Sequence, residues 1–163
     1  MEIRAEAPSD HETIYRLTKA AFDPMPFSDG SEADRIDALR RDGDLTLSLV
    51  AEDNAGVVGH IAFSPVSFDG HGEKWFGLGP VAVWPHLQKR GIGSALVNEG
   101  VARLRRSGAH GCVLIGDPDY YGRFGFRSGD RLTYRDLPTG FVQWLSFGED
   151  EPVGVLRFSP GLE

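Results

Sequence analysis

Val81-Ala82-Val83-Trp84-Pro85-His86-Leu87-Gln88-Lys89-Arg90-Gly91-Ile92-Gly93-Ser94-Ala95-Leu96 opens on apolar β-formers, passes a proline and two glycines, and ends on helix formers. It reads as a strand, a tight turn and a helix start. Such a turn can hold a pyrophosphate without a deep basic pocket. Gly91 and Gly93 let the backbone curl with no Cβ penalty. The free N–H groups of the helix N-terminus then face the anion, and the helix dipole adds to the attraction.

Three phosphate-binding patterns compete for this segment. A Walker loop places its lysine after the glycines, whereas Lys89 precedes them. A dinucleotide fingerprint needs G-x-G-x-x-G in an early βαβ unit; only its first half is present, and it lies mid-chain. The third pattern, Gln/Arg-x-x-Gly-x-Gly/Ala after an apolar strand, is met in full by Gln88-Lys89-Arg90-Gly91-Ile92-Gly93.

A second stretch, Asp119-Tyr120-Tyr121-Gly122-Arg123-Phe124-Gly125-Phe126, places Tyr121 four residues before Gly125. Together the two motifs resemble the acetyl-CoA signature and the Tyr-x-x-x-Gly-Phe segment of the GCN5-related N-acetyltransferase (GNAT) superfamily. Leu78-Gly79-Pro80-Val81-Ala82-Val83 and Gly116-Asp117-Pro118 resemble its YhbS-like subgroup. The resemblance follows nearly the whole chain in element order, and its specific motifs cover residues 78–126. It implies a single domain over 1–163 that transfers an acetyl group from acetyl-CoA, as cosubstrate, to an amine.

Composition bounds the partners. The chain has 163 residues, 40% apolar and 25% charged, as expected of one globular domain with a sizeable core. No run approaches the roughly 18 apolar residues of a membrane span, and the start, Met1-Glu2-Ile3-Arg4-Ala5-Glu6, is unlike a signal peptide. A cytoplasmic protein with no membrane partner is the expectation. The net charge of −7 argues against nucleic acid. Lys89, Arg90, Arg103, Arg105 and Arg106 fall in one turn–helix unit, where they suit an anionic cofactor, although the last three also read as a solvated helix face. The lone Cys112 sits in an apolar run and reads as core, and five scattered histidines show no metal-ligand spacing. No metal is expected.

The pattern along the chain predicts a mixed α/β fold: a mostly antiparallel sheet flanked by about four helices. Strands are expected near 3–5, 45–52, 57–68, 73–83, 111–115, 142–147 and 153–158, with a further one at Phe126. Helices are expected from a capping box at Ser9-Asp10-His11-Glu12 to Phe22, from a second box at Ser31 to Asp42, over Gly91–Ser107, and briefly over 119–124. Gly79-Pro80 inside the fourth strand predicts a bulge, because proline has no ladder donor. A bulge would splay that strand from its neighbour. In the resembled superfamily the splay receives pantetheine, which pairs with backbone at Val81, Ala82 and Val83, while the amides of Gln88, Lys89, Arg90, Gly91, Ile92, Gly93, Ser94 and Ala95 surround the pyrophosphate.

By the same resemblance, Tyr121 is the general acid for the leaving thiolate. Free thiols titrate near 8.5 and tyrosine near 10, so the transfer is feasible at neutral pH. Tyr120 reads as packing. The base is harder to place. Glu73, eight residues before Val81, is about 26 Å away along a strand at about 3.3 Å per residue. His60, opposite Val81 give or take the bulge if residues 69–72 close the hairpin, and Glu32 are candidates, as is a water chain with no dedicated base. His60 also reads as a satisfied structural histidine. The acceptor is expected over the first two helices, against Phe22, Met25 and Phe27. A non-catalytic acetyl-CoA sensor is the alternative, because the strand lacks the glutamate of many superfamily members. Homodimers are common in the superfamily, but no interface can be read here.

Overall fold

The computed structural model describes residues 1–163. One eight-stranded sheet runs through it, with the main path β1-β2-β3-β4-β5-β7. β1 is Glu2–Ala5, β2 Leu47–Asp53, β3 Gly56–Phe68, β4 Trp75–Val83, β5 Gly111–Ile115, β6 Leu132–Thr133, β7 Val142–Ser146 and β8 Gly154–Phe158. Neighbours on the path are antiparallel except β4 and β5, which are parallel. Four α-helices flank the sheet: α1 His11–Phe22, α2 Glu32–Asp42, α3 Ile92–Arg106 and α4 Pro118–Tyr121. No helix is long and apolar enough to cross a membrane.

The two faces of β3 sort the helices. Ile61 and Phe63 point to α3, whose buried Leu96, Val97, Gly100 and Leu104 recur at helical spacing. Gly100 is required there: a Cβ would lie 2.5 Å from the Phe63 ring. On the opposite face α1 contributes Ile14, Leu17 and Ala21, which pack on Ile36 of α2, Val50 of β2 and Ala82 of β4. β3 is long enough to serve two partners, since Val66–Phe68 leave β4 and pair with β8 instead.

Several boundaries depart from expectation. α1 starts at His11, after a 3-10 turn over Pro8–Asp10, and Ser9 does not cap it. The Asp10 carboxylate instead accepts from Arg4 Nη1 at 2.8 Å and from the Ala7 amide at 2.7 Å. Ser31 turns its hydroxyl back to Asp29 at 2.5 Å and makes no cap bond to α2. Phe126 forms no strand; only Arg127 bridges to Trp144. The two-residue β6 is too short to leave a periodic signal.

Candidate active site

β4 leaves regular pairing on both sides. Against β3, Ile61 pairs Val81 but Phe63 pairs Leu78, so Ala62 faces the pair Gly79-Pro80. This is the expected bulge. Against β5, pairing covers only Trp75–Gly77. Beyond Gly77 the two parallel strands no longer pair, which leaves an unpaired gap, a groove, between their C-terminal ends.

Ladder geometry fixes which backbone groups face the groove. The Trp84 amide donates to the Val58 carbonyl at 3.1 Å, so residues 58 and 84 are a hydrogen-bonded pair. Such pairs alternate along an antiparallel ladder. His60 and Ala82 are therefore bonded to each other, while Val81 and Val83 turn their N–H and C=O away from β3. Both residues lie past the end of the β5 pairing. The Val83 carbonyl accepts from Gln88 Nε2 at 3.1 Å.

After a 3-10 turn over Pro85–Leu87 the chain curls into α3. Lys89 at φ 65° and Gly91 at φ 85° both take the left-handed conformation, which bends successive N–H groups into one concavity. From Lys89 to Ser94 six amides donate to no acceptor in the protein; the first helical bond is Ala95 N–H to the Gly91 carbonyl at 3.0 Å. Lys89 and Arg90 are exposed beside them. Six converging donors at a helix N-terminus fit a pyrophosphate. The adjoining groove, with two strand residues turned toward it, fits an extended amide-bearing arm. The residues present thus suit coenzyme A.

α4 follows β5 after a two-residue turn. The Asp117 carboxylate caps it by accepting from the Asp119 amide at 2.9 Å. Its two tyrosines point different ways, as neighbours about 100° apart on a helix must. The Tyr121 ring meets Tyr120 edge-on at 4.9 Å and Phe126 at 6.0 Å, and packs on Gly116, where a Cβ would lie 2.7 Å from it. Its hydroxyl makes no hydrogen bond within the protein, and burial pushes its pKa up to about 12. Tyr120 faces α3: its hydroxyl lies 3.2 Å from Ser94 Oγ in the first helical turn.

His60 lies elsewhere. It pairs Ala82, one residue from the expected Val81, because the bulge shifts the register. Its side chain shares the α1 face and is 0% exposed. Nε2 is 2.7 Å from Ser48 Oγ, which donates in turn to Glu6. Glu6 also accepts from Arg40 Nε at 3.0 Å and contacts His11 Nε2 at 2.8 Å. Burial lowers the His60 pKa to about 4, against a smaller opposing pull from Glu6.

The α1–α2 connection holds the other candidates together. Phe22 packs against the Ala82 cluster and meets Phe27 edge-on at 6.5 Å. Phe27 is 76% exposed. Met25 turns the loop, its amide bonding the Phe22 carbonyl and its carbonyl accepting from Ser28. Ser28 Oγ donates to Glu32 Oε1 at 2.7 Å. The Tyr120–Ser94 contact and the Gln88 side-chain tie were not anticipated. Only the consecutive tyrosines in a proline-started turn hinted at the first.

Residues 2–129 match the family model of the acetyltransferase (GNAT) domain. The chain belongs to the GNAT acetyltransferase family. It is 42% identical over 127 residues to the uncharacterised N-acetyltransferase YhbS of Escherichia coli K12, covering 77% of this chain and 73% of that one. A GNAT family acetyltransferase of Brucella melitensis, solved in complex with acetyl-CoA, is 46% identical and superposes with a TM-score of 0.89, covering 99% of this chain and 97% of that one. E. coli YhbS, solved in complex with CoA, is 33% identical with the same TM-score, covering 99% and 91%. The mixed sheet with its four helices is thus the fold of GNAT acetyltransferases.

Proposed function

We propose that residues 1–163 form one cytoplasmic N-acetyltransferase domain that moves an acetyl group from acetyl-CoA to a primary amine of a small molecule or protein by direct attack. The row of six amides from Lys89 to Ser94 that donate to no protein acceptor, beside a groove that Val81 and Val83 face, carries this reading. When bound, acetyl-CoA supplies an acetyl thioester: the amine nitrogen bonds to its carbonyl carbon, the C–S bond breaks, the nitrogen loses a proton and the sulfur gains one.

The chain's own groups divide the work. The amides of 89–94 hold the pyrophosphate, with Lys89 and Arg90 adding charge. Val81 N–H, turned away from β3, polarises the thioester carbonyl as an oxyanion donor. Tyr121 keeps its proton at every physiological pH, because its pKa is about 12. Its hydroxyl has no competing partner in the protein and donates a hydrogen bond to the developing thiolate; the raised pKa makes full proton transfer less favourable, in keeping with a small contribution to the rate.

Deprotonation of the amine does not run through His60, whose buried imidazole is bonded into the Ser48–Glu6 network. Glu32, tied to the acceptor loop through Ser28, or water takes the proton. Glu32→Gln with an unshifted pH–rate profile would leave water. The acceptor enters over Phe22, Met25 and Phe27.

Thiol release from acetyl-CoA, followed across amines, antibiotics and peptides, tests the proposal. Release with one acceptor class supports an enzyme. Tight acetyl-CoA binding with no release across the panel would favour a non-catalytic sensor.

A further inference from the structure

Tyr120 occupies a place that packing alone does not require. Its hydroxyl is 3.2 Å from Ser94 Oγ, and a Cβ on Gly93 would lie 3.5 Å from the same oxygen. It therefore stands over the first turn of α3, at the end of the six free amides. From the other side Arg123 fixes it: the guanidinium lies 4.4 Å from the ring centroid, and Nε donates to the Tyr120 carbonyl at 2.9 Å. Tyr121 and Phe124 pack on its ring at 4.9 and 5.5 Å.

A serine hydroxyl has one proton and two acceptor sites. A phenol is far more acidic than an aliphatic alcohol, so Tyr120 is the better donor of the pair. When Tyr120 donates, the Ser94 oxygen is engaged as an acceptor and its own proton is left to point elsewhere. Ser94 ends the run of amides 89–94 that donate to no protein acceptor, so an anion held by them lies beside that proton.

We propose that Tyr120 is a positioning residue for the pyrophosphate site: it orients the Ser94 hydroxyl as a seventh donor to the anion and locks α4 to the start of α3. This rests on the acetyl-CoA reading above. It separates the two tyrosines by role, Tyr120 acting on cofactor binding through Ser94 and Tyr121 on the leaving sulfur. Arg123 holds Tyr120 in place by stacking and brings one more positive charge to the same end of the groove.

Calorimetric binding of CoA to the full chain tests this, using wild type, Tyr120→Phe, Ser94→Ala and the double variant. Phenylalanine keeps the ring that Arg123, Tyr121 and Phe124 pack on. The expected result is a two- to tenfold weaker Kd in Tyr120→Phe, at least as much in Ser94→Ala, and no further loss in the double variant. The melting temperature of the ligand-free protein falls by no more than a few degrees, as loss of one partly buried hydrogen bond implies, and with a turned-over amine KM for acetyl-CoA rises while kcat holds. An unchanged Kd in Tyr120→Phe overturns the proposal. So does an additive double variant, which would mean that Tyr120 acts without Ser94. Wild type failing to bind CoA at all would instead sink the acetyl-CoA reading.

Discussion

Gln88 reaches back five residues and donates its side-chain amide to the carbonyl of Val83 at 3.1 Å. The bond ties the anion loop to the last residue of the strand that borders the groove. One residue thus sets the distance between the two halves of the cofactor site, the amides of 89–94 and the strand backbone.

Gln88→Ala should therefore loosen the loop without touching the core. A neutral hydrogen bond contributes a net 0.5–1.5 kcal/mol, roughly a two- to tenfold change in affinity. We expect CoA binding to weaken by about that factor in titration calorimetry, with kcat at saturating acetyl-CoA retained. Equal losses in kcat and kcat/KM would show that Gln88 acts on the chemistry instead.

Tyr121→Phe removes a hydroxyl that has no protein partner and keeps the ring on Gly116 and Phe126. Folding and KM for acetyl-CoA should be unaffected. The turnover number should fall, toward the low end of the roughly 10²–10⁴-fold range of general acid catalysis, because a thiolate leaves tolerably well unaided. Steady-state kinetics with unchanged kcat would remove Tyr121 from the mechanism.

The His60 network predicts how stability depends on pH. The imidazole titrates near 6.5 when unfolded and near 4 when folded, chiefly because burial disfavours its charged form. Between these values only the unfolded chain binds the extra proton, so stability rises with pH across that window. The contribution is complete above about pH 6.5 and shrinks as pH falls toward 4. At about 1.4 kcal/mol per pKa unit it is of the order of 3 kcal/mol. Glu6, held below its ordinary range by Arg40 and Ser48 despite burial, adds a loss of the same sign at lower pH. Chemical denaturation from pH 7 to 5 should show the decline, and His60→Gln should flatten it. An equal slope in that variant would place the dependence in other groups.

Gly100→Ala should destabilise the protein although alanine is the better helix former. The new methyl would meet the Phe63 ring at 2.5 Å, and overpacking of this kind costs about 1–3 kcal/mol. A melting temperature at or above wild type would show that α3 can slide away from β3 freely.

Periodic signals made much of this fold legible. α1, α2 and α3 carry apolar residues at helical spacing and end at Phe22, Asp42 and Arg106, close to where expected. The Gly79-Pro80 bulge was readable because proline cannot join a ladder. The same bulge sets the register only to within one residue: the extra residue on β4 moves His60 from Val81 to Ala82. No local pattern shows that shift. Nor does any show that His60 points to α1 and a polar network assembled from Glu6, just past β1, and from β2 and α2, since those partners are 12 to 54 residues away in the chain. The Tyr120–Ser94 pair joins residues 26 apart and becomes visible only once α4 is seen against α3.

The alternation along β4 has a consequence that time-resolved labelling can read. On one strand, Ala82 has its amide locked against β3 while the amides of Val81 and Val83, on either side of it, turn to the side that β5 leaves unpaired. In deuterated water these three neighbours keep different clocks, the outer two exchanging quickly and the middle one slowly. A ligand seated in the groove as a surrogate strand would slow the outer pair to the pace of the middle one. The protein thus carries a residue-by-residue gauge of occupancy in its own backbone.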